Sequence, residues 1–216
     1  MKILKPAIPN YLALVSDILN IGMRHIDEDT PLEGASVDKN VVEGGDLYKI
    51  EIRESIISSS TLLNTSFEGA TFIDVIFKEC NLSNSSFKGA YFERCQFTSC
   101  KCTGVNFSST IIKNTLFEDS PLEYSSFDES KLNSVIFSGC DMSNASLSSS
   151  TLKSISLSDN KFISTNFFRT NLKGVDFSSC DLVNPIVSDT LSELKGIHIN
   201  PHQAMNIVGL LDIKIK

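Results

Sequence analysis

An apolar residue recurs at every fifth position of this chain, without a break, from Leu47 to Val187. The column holds 29 residues, of which 13 are Phe, 10 Leu and 3 Ile, with Cys102, Met142 and Val187 completing it. Of the 14 Phe in the chain only Phe168 lies elsewhere. An amphipathic helix needs apolar spacing near 3.6 and a strand a spacing of 2, so a strict beat of five fits neither. It fits a solenoid in which each pentapeptide makes one short side and one corner.

The rest of the unit supports this geometry. Two residues before each large apolar residue stands a compact one, as at Ala70, Val75, Cys80, Ser85, Ala90, Cys95, Cys100 and Val105. The residue between them is usually polar, as at Thr71, Asn81, Ser86, Asn106, Asp141, Asn166 and Asp176. Gly69, Gly89, Gly104, Gly139 and Gly174 all fall two positions after the large residue, where a turning backbone favours glycine. The unit therefore reads small-in, polar-out, large-in, then two turn residues.

Cysteine spacing sets the number of sides. Cys80, Cys100, Cys140 and Cys180 share the small inward position and differ by multiples of 20, with Ser60, Ser120 and Asn160 filling the column. Twenty residues per coil means four pentapeptides and a four-sided cross-section. Phe67, Phe87, Phe107, Phe127 and Phe167 then stack on one side, and Phe77, Phe97, Phe117, Phe137 and Phe177 on the opposite one. The intervening sides are richer in Leu. Seven such coils at about 4.8 Å each make a rod of roughly 34 Å, filled by its own side chains. The expected fold class is an all-β solenoid: a parallel, quadrilateral β-helix with a short capping helix at each end.

A solenoid has an open apolar floor at both ends, so caps are needed. Three segments follow: residues 1–46 as N-terminal helix and lead-in, 47–187 as the repeat, and 188–216 as the C-terminal cap. Asn10 after Pro9 reads as an N-cap for a helix over 10–21 with the stripe Tyr11, Leu14, Val15, Ile18 and Leu19. Leu32, Val37 and Val42 keep the frame, so the coil can begin before Leu47. At the other end Ile197 and Ile199 suggest a short strand. Asn200, Pro201 and Gln203 form a capping-box signature for a helix to about Leu211. That helix is expected to bury Ala204, Ile207, Val208 and Leu211, with an edge strand at Ile213, Lys214 and Ile215.

Charge and composition narrow the function classes. The formal net charge is −7, which argues against nucleic acid as a direct ligand, since phosphate binding needs a basic surplus. No apolar run is long enough to span a membrane, and Ser16, Asp17 and Asn20 interrupt the N-terminal apolar stretch, unlike a signal peptide. A cytoplasmic protein with reduced thiols is the expectation. Five of the six cysteines occupy the small inward column and Cys102 the large one; no CxxC pair exists, and His25, His198 and His202 lie outside the repeat. Packed thiols are thus expected, with no metal, no cofactor and no catalytic residues. A filled barrel leaves binding at the outer surface as the expected activity.

Two surface features qualify. Glu118, Asp119, Glu123, Asp128 and Glu129 take outward or corner positions on three successive sides, a partial acidic belt that could equally be a solvated face. Ile56, Ile76, Leu116 and Ile136 hold the normally polar outward position on one side, with Gln96 among them. Such a stripe is either a contact surface or is covered by the N-terminal segment, and the cover is favoured.

Runs such as Cys80-Asn81-Leu82-Ser83-Asn84 and Thr170-Asn171-Leu172-Lys173-Gly174 resemble the pentapeptide-repeat family. The Lys5-Pro6-Ala7-Ile8-Pro9 segment before an apolar helix, the Leu191-Ser192-Glu193-Leu194 run and the Asn200-to-Leu211 stretch are similar to the Qnr-like proteins of Gram-positive bacteria. The resemblance implies a right-handed coil that forms a homodimer through its C-terminal end, with Ala204, Ile207, Val208, Leu211 and Ile213 as candidate interface residues. It also implies binding to a type II topoisomerase (DNA gyrase or topoisomerase IV) and protection from fluoroquinolones by mimicry of duplex DNA. Residues 47–187 carry 12 Lys/Arg and 15 Asp/Glu, whereas duplex DNA of that length carries about 20 negative charges. Mimicry would therefore rest on shape and on the belt at 118–129. No loop interrupts the frame, a departure from Qnr members whose loops matter for protection. The alternative is a structural or interaction module with a different partner.

Overall fold

The computed structural model describes residues 1–210. It is a parallel β-solenoid of about 9 turns with a short helix at either end. In chain order the strands are β1 (Ala13–Val15), β2 (Leu32–Glu33), β3 (Ala35–Asp38), β4 (Val41–Glu43), β5 (Glu51–Ser58), β6 (Thr61–Leu63) and β7 (Thr71–Lys78). They continue as β8 (Tyr91–Glu93), β9 (Gln96–Thr98), β10 (Ile111–Glu118), β11 (Lys131–Ser138), β12 (Thr151–Ser158), β13 (Lys161–Ile163) and β14 (Asp181–Val183). Helix α1 spans Ile18–Asp27 and α2 spans Pro201–Gly209.

Register confirms the 20-residue coil. Ile57, Phe77, Phe97, Phe117, Phe137 and Leu157 pair in succession, and every such pair is parallel. The sides named for Phe72 and Phe77 carry the longest strands, which run over their shared corner. The Phe67 side holds single-residue bridges, as from Ser66 to Ser86 to Asn106 to Ser126, and the Leu82 side mixes such bridges with the short parallel pairs β4–β6 and β13–β14. The coil geometry already holds at Leu32, Val37 and Val42, all buried in the same core as Leu47.

Three regularities hold the coils together. First, every fifth residue from Asp29 to Gly174 has a left-handed φ, between +46° and +81°. Glycine is favoured there but most corners are occupied by other types, including Glu54, Arg94 and Tyr124. Second, the aromatic columns stack as the spacing predicts: Phe67 on Phe87 at 4.9 Å, Phe87 on Phe107 at 5.3 Å, Phe77 on Phe97 at 4.6 Å, Phe97 on Phe117 at 4.7 Å. The two columns then meet edge to face, as Phe107 does with Phe117 at 5.9 Å. Offset and edge contacts of this kind suit the ring quadrupole.

Third, the small inward position solves a backbone problem. A corner buries peptide groups that the strand ladder cannot reach. The side chain there accepts from the N–H twenty residues earlier and donates to the carbonyl twenty-three residues earlier. Ser130 Oγ accepts from Thr110 N at 3.1 Å and donates to Phe107 O at 2.7 Å. Ser150 does the same for Ser130 N and Phe127 O, and Asn160 for Cys140 N and Phe137 O. This is why Ser, Thr, Cys and Asn recur inside an apolar barrel.

The N-terminal cap differs from the sequence expectation. Helix α1 begins at Ile18 with Asp17, not Asn10, as N-cap; the Asp17 carboxylate accepts from Asn20 N at 3.0 Å. Val15 is a rung residue of β1 paired with Val37, so its apolar neighbours do not form a helical stripe. Tyr11 and Leu14 are 84% and 87% exposed. Gly22 lets α1 close on the floor, since a Cβ there would come within 2.7 Å of Leu47 Cδ2.

Candidate functional site

Side chains fill the interior along its length, so the candidate sites are on the outside. Glu118 ends β10 on the Phe77 side, and Asp119 holds the next corner with φ +47°. Glu123 faces outward on the Leu82 side, Asp128 on the Phe87 side, and Glu129 takes the corner beyond it with φ +59°. The five carboxylates thus lie on three sides of one coil, as their spacing predicts. They are not equivalent. Asp128 Oδ1 accepts from Ser146 Oγ at 2.5 Å and Ser148 N at 2.8 Å, tying its coil to the next. Glu123 accepts from Thr103 Oγ1 at 3.4 Å. Asp119 lies against Gly139, where a Cβ would be 2.4 Å from its Oδ1. Asp119 and Glu129 are exposed and Glu118 half-buried, and among the described residues none of the five joins a salt bridge. What this arrangement offers is an attraction for Lys or Arg side chains of a partner.

Part of the apolar stripe faces the N-terminal segment. Ile56, Ile76, Leu116 and Ile136 are half-buried, and residues Met1–Lys5 face Gln96, Leu116 and Ile136 across a recess of about 390 Å³. The strap is pinned where Ala7 N donates to Asp74 Oδ1 at 2.9 Å and, more weakly, where Leu4 N donates to Asn114 Oδ1 at 3.4 Å. Asp74 also takes a two-pronged bond from Arg94, at 2.8 and 2.7 Å. Burial would raise the Asp74 carboxyl, but Arg94 and the Ala7 N–H outweigh it and hold it below its ordinary range.

At the C-terminal end, Asn200 caps α2 through bonds from His202 N and Gln203 N, each 3.0 Å. Gln203 completes the capping box by accepting from Asn200 N at 2.8 Å. Its amide also donates to Phe177 O at 2.8 Å and Cys180 O at 2.6 Å, so one side chain satisfies the last coil's open carbonyls. Asn40 plays the matching part at the other end, accepting from Ile18 N at 2.8 Å and donating to Val15 O at 3.3 Å. The expectation for α2 is corrected here: Gln203 is its buried residue, while Ala204, Ile207 and Val208 are half-buried and Met205 is exposed. Their position over the barrel floor leaves part of each side chain uncovered. Ile197 and Ile199 flank a single bridge, His198 to Asp176, in place of a strand. Leu211, Ile213 and the expected strand Ile213–Ile215 lie outside the described residues.

Glu193 was not singled out in the sequence. It is buried, accepting from Arg169 N at 2.9 Å and from Ser188 Oγ at 2.7 Å. A charged residue in the Leu191-to-Leu194 run, where the chain leaves the frame, is the available signal. Above it lies a surface recess of about 580 Å³ flanked by Arg169, Lys173 and Lys195. All six cysteines are buried thiols, and burial pushes Cys95 up to about 12. Among the described residues no helix is long and apolar enough to cross a membrane.

Comparison with known proteins agrees with the fold. Residues 70–138 and 90–162 match the model of the pentapeptide repeat region. No curated protein matches the chain. Two trypsin-treated forms of QnrB1, a plasmid-mediated fluoroquinolone resistance protein, are structurally similar. One has a TM-score of 0.54 at 17% identity, covering 84% of this chain and 100% of that one. The other has a TM-score of 0.51 at 15% identity, covering 95% and 99%.

Proposed function

From the premise that this chain is a pentapeptide-repeat β-helix, we propose that it is a non-enzymatic cytoplasmic binding protein whose rod docks on a type II topoisomerase. The observation that carries the reading is the extent of the shared fold. The likeness to QnrB1 spans 84% of this chain and all of the QnrB1 chain compared. The resemblance of the chain's ends to Qnr-like proteins supports the same partner class, gyrase or topoisomerase IV. Glu118, Asp119 and Glu129 are the carboxylates free to meet the partner; Asp128 and Glu123 hold neighbouring coils as well as contributing charge. Mimicry of duplex DNA would be local, confined to this belt and to the rod's width. Protection against fluoroquinolones is the further consequence proposed for that contact. The C-terminal cap is the proposed homodimer interface, with Ala204, Ile207, Val208, Leu211 and Ile213 as its apolar residues. A two-fold pairing of this cap would lengthen the rod.

A gyrase supercoiling assay, run with and without a fluoroquinolone over a range of protein concentrations, tests the reading. Inhibition alone, or restored supercoiling in the presence of drug, is the expected outcome. No effect of either kind at tens of micromolar protein would leave only an interaction module with a different partner. Light scattering tests the dimer: a mass of one chain at micromolar concentration would exclude it.

A further inference from the structure

Neighbouring coils are hydrogen-bonded on the Phe72 and Phe77 sides at every step but one. Strand β12 is fully paired with β11 along one edge. On its other edge lies the coil 171–178, which keeps its forward bonds to 193–198: Leu172 N to Glu193 O, Gly174 N to Gly196 O, Phe177 N to His198 O. By the rule of the other coils, the N–H groups of Leu152, Ser154, Leu157 and Asp159 should reach the carbonyls of Asn171, Lys173, Asp176 and Ser178. None of these bonds is made. The corners on either side are closed, with Ser149 N on Phe168 O at 2.8 Å and Asp181 N on Asn160 O at 2.8 Å. Between those two corners the coil bows away from β12.

The consequence is an apolar slot. Leu152, Ile155 and Leu157 are half-buried, whereas Leu132, Val135 and Phe137 directly beneath them are buried. A cavity of about 20 Å³ behind the slot is lined from both banks, by Leu152, Ile155 and Leu157 and by Val175 and Phe177. The inward column at this corner runs Ala35, Ser55, Val75, Cys95, Thr115, Val135, Ile155, Val175. Ile155 is its largest member, and Val175 has to clear it. The rim is basic where the slot crosses the Phe72 side, whereas the exposed Asp159 and Asp176 stand at its Phe77 end. Lys153 and Lys173 stand at the same outward position on the two banks, both exposed, and Arg169 and Lys195 flank the recess beyond. Among the described residues none of these four cations forms a salt bridge.

We propose that this slot is a docking site for an extended apolar segment of a partner protein with a single carboxylate on the Phe72 side, added as a parallel strand along the free edge of β12. Free strand edges recruit strands, and the backbone bonds supply affinity while alternate side chains supply selectivity. Apolar side chains of the segment would cover Leu152, Ile155 and Leu157. A carboxylate at its third position would lie between Lys153 and Lys173. The site is separate from the belt at 118–129 and does not depend on topoisomerase as the partner.

The probe is a fluorescein-labelled peptide with the coil's own inward pattern and an acid at position three, Thr-Leu-Glu-Ser-Val-Ile-Phe-Ser. Titrated with the full chain, its anisotropy should saturate in the micromolar range. The Lys153→Glu/Lys173→Glu double variant should weaken binding by about tenfold or more, because rim charges steer and select partners. A peptide with Lys in place of Glu should show the reverse preference. Amide exchange supplies a second readout. Leu152, Ser154 and Leu157 should exchange much faster than Leu132, Ser134 and Phe137 in the free protein, and slow down with peptide bound. Absence of saturable binding at hundreds of micromolar overturns the proposal, as does binding indifferent to both charge reversals. Full protection of the three amides in the free protein overturns it too, and shows a closed slot.

Discussion

Replacing Phe107 by Ala tests the packing of the barrel against the split beside β12. Phe107 is fully buried, stacked between Phe87 at 5.3 Å and Phe127 at 4.8 Å. It also meets Phe92 and Phe97 at 6.0 Å and Phe117 at 5.9 Å, edge to face. Phe-to-Ala truncation in a rigid core costs about 3–5 kcal/mol, and the closed coils above and below leave no room to collapse. The upper half of that range is expected. Leu152→Ala removes a side chain of the same inward set, but from a half-exposed position beside an existing cavity. Partial exposure in the folded state reduces both the transfer and cavity contributions, so its cost should be about 1–2 kcal/mol, below the usual Leu-to-Ala range. Equilibrium urea unfolding followed by far-ultraviolet circular dichroism reads both, as midpoint shifts at unchanged slope. A cost for Phe107→Ala below about 2 kcal/mol would refute the reasoning, as would equal costs for the two variants.

Four further outcomes are expected. Ser130→Ala removes the acceptor for Thr110 N and the donor to Phe107 O inside the barrel, so it should cost about 1–3 kcal/mol in the same urea experiment, whereas Ser130→Thr should cost less. Tyr124→Gly at a corner with φ +59° should raise stability by about 0.5–1 kcal/mol, because the left-handed strain of about 1–2 kcal/mol exceeds glycine's entropy cost. Burial raises the Glu193 carboxyl, but bonds from Ser188 and the Arg169 N–H outweigh this and hold it below its ordinary 4.5. The ionised form therefore favours the fold; its stabilisation is complete above the ordinary glutamate range and is lost as pH falls through the depressed folded value. Melting temperature followed from neutral to acid pH should show that loss in the parent, and Glu193→Gln should flatten it. Finally, the six thiols should resist an aromatic disulfide reagent in the native state and react in urea, since every one is buried and Cys95 is pushed up to about 12.

Much of the fold was legible because a solenoid writes its geometry into the period. The beat of five placed the large inward residues, the step of 20 placed their stacking partners, and the glycines marked the corners. The corners themselves were harder to read, since Glu54, Arg94 and Tyr124 carry left-handed φ without any glycine to announce it. Helix α1 was misplaced because Leu14 and Val15 look helical beside Ile18 and Leu19. Pairing of Val15 with Val37, a tertiary contact, decides otherwise. The outward and corner positions of Glu118, Asp119, Glu123, Asp128 and Glu129 follow from the frame, but nothing local says that Asp128 bonds Ser146 and Ser148. The split beside β12 leaves only a trace in the sequence. Only Ile50 and Ile155 bring an isoleucine to the small inward position, and Ile50 lies under α1 at the barrel floor.

The proposed function stands most directly on physical contact with the enzyme. Calorimetric titration of the full chain into intact gyrase should give a saturable complex with a micromolar or tighter dissociation constant. Replacing Glu118, Asp119, Glu123, Asp128 and Glu129 together by Gln and Asn should weaken it, with circular dichroism confirming the fold. No heat of binding at tens of micromolar would contradict the topoisomerase reading, and an unchanged titration by the five-fold variant would contradict the belt.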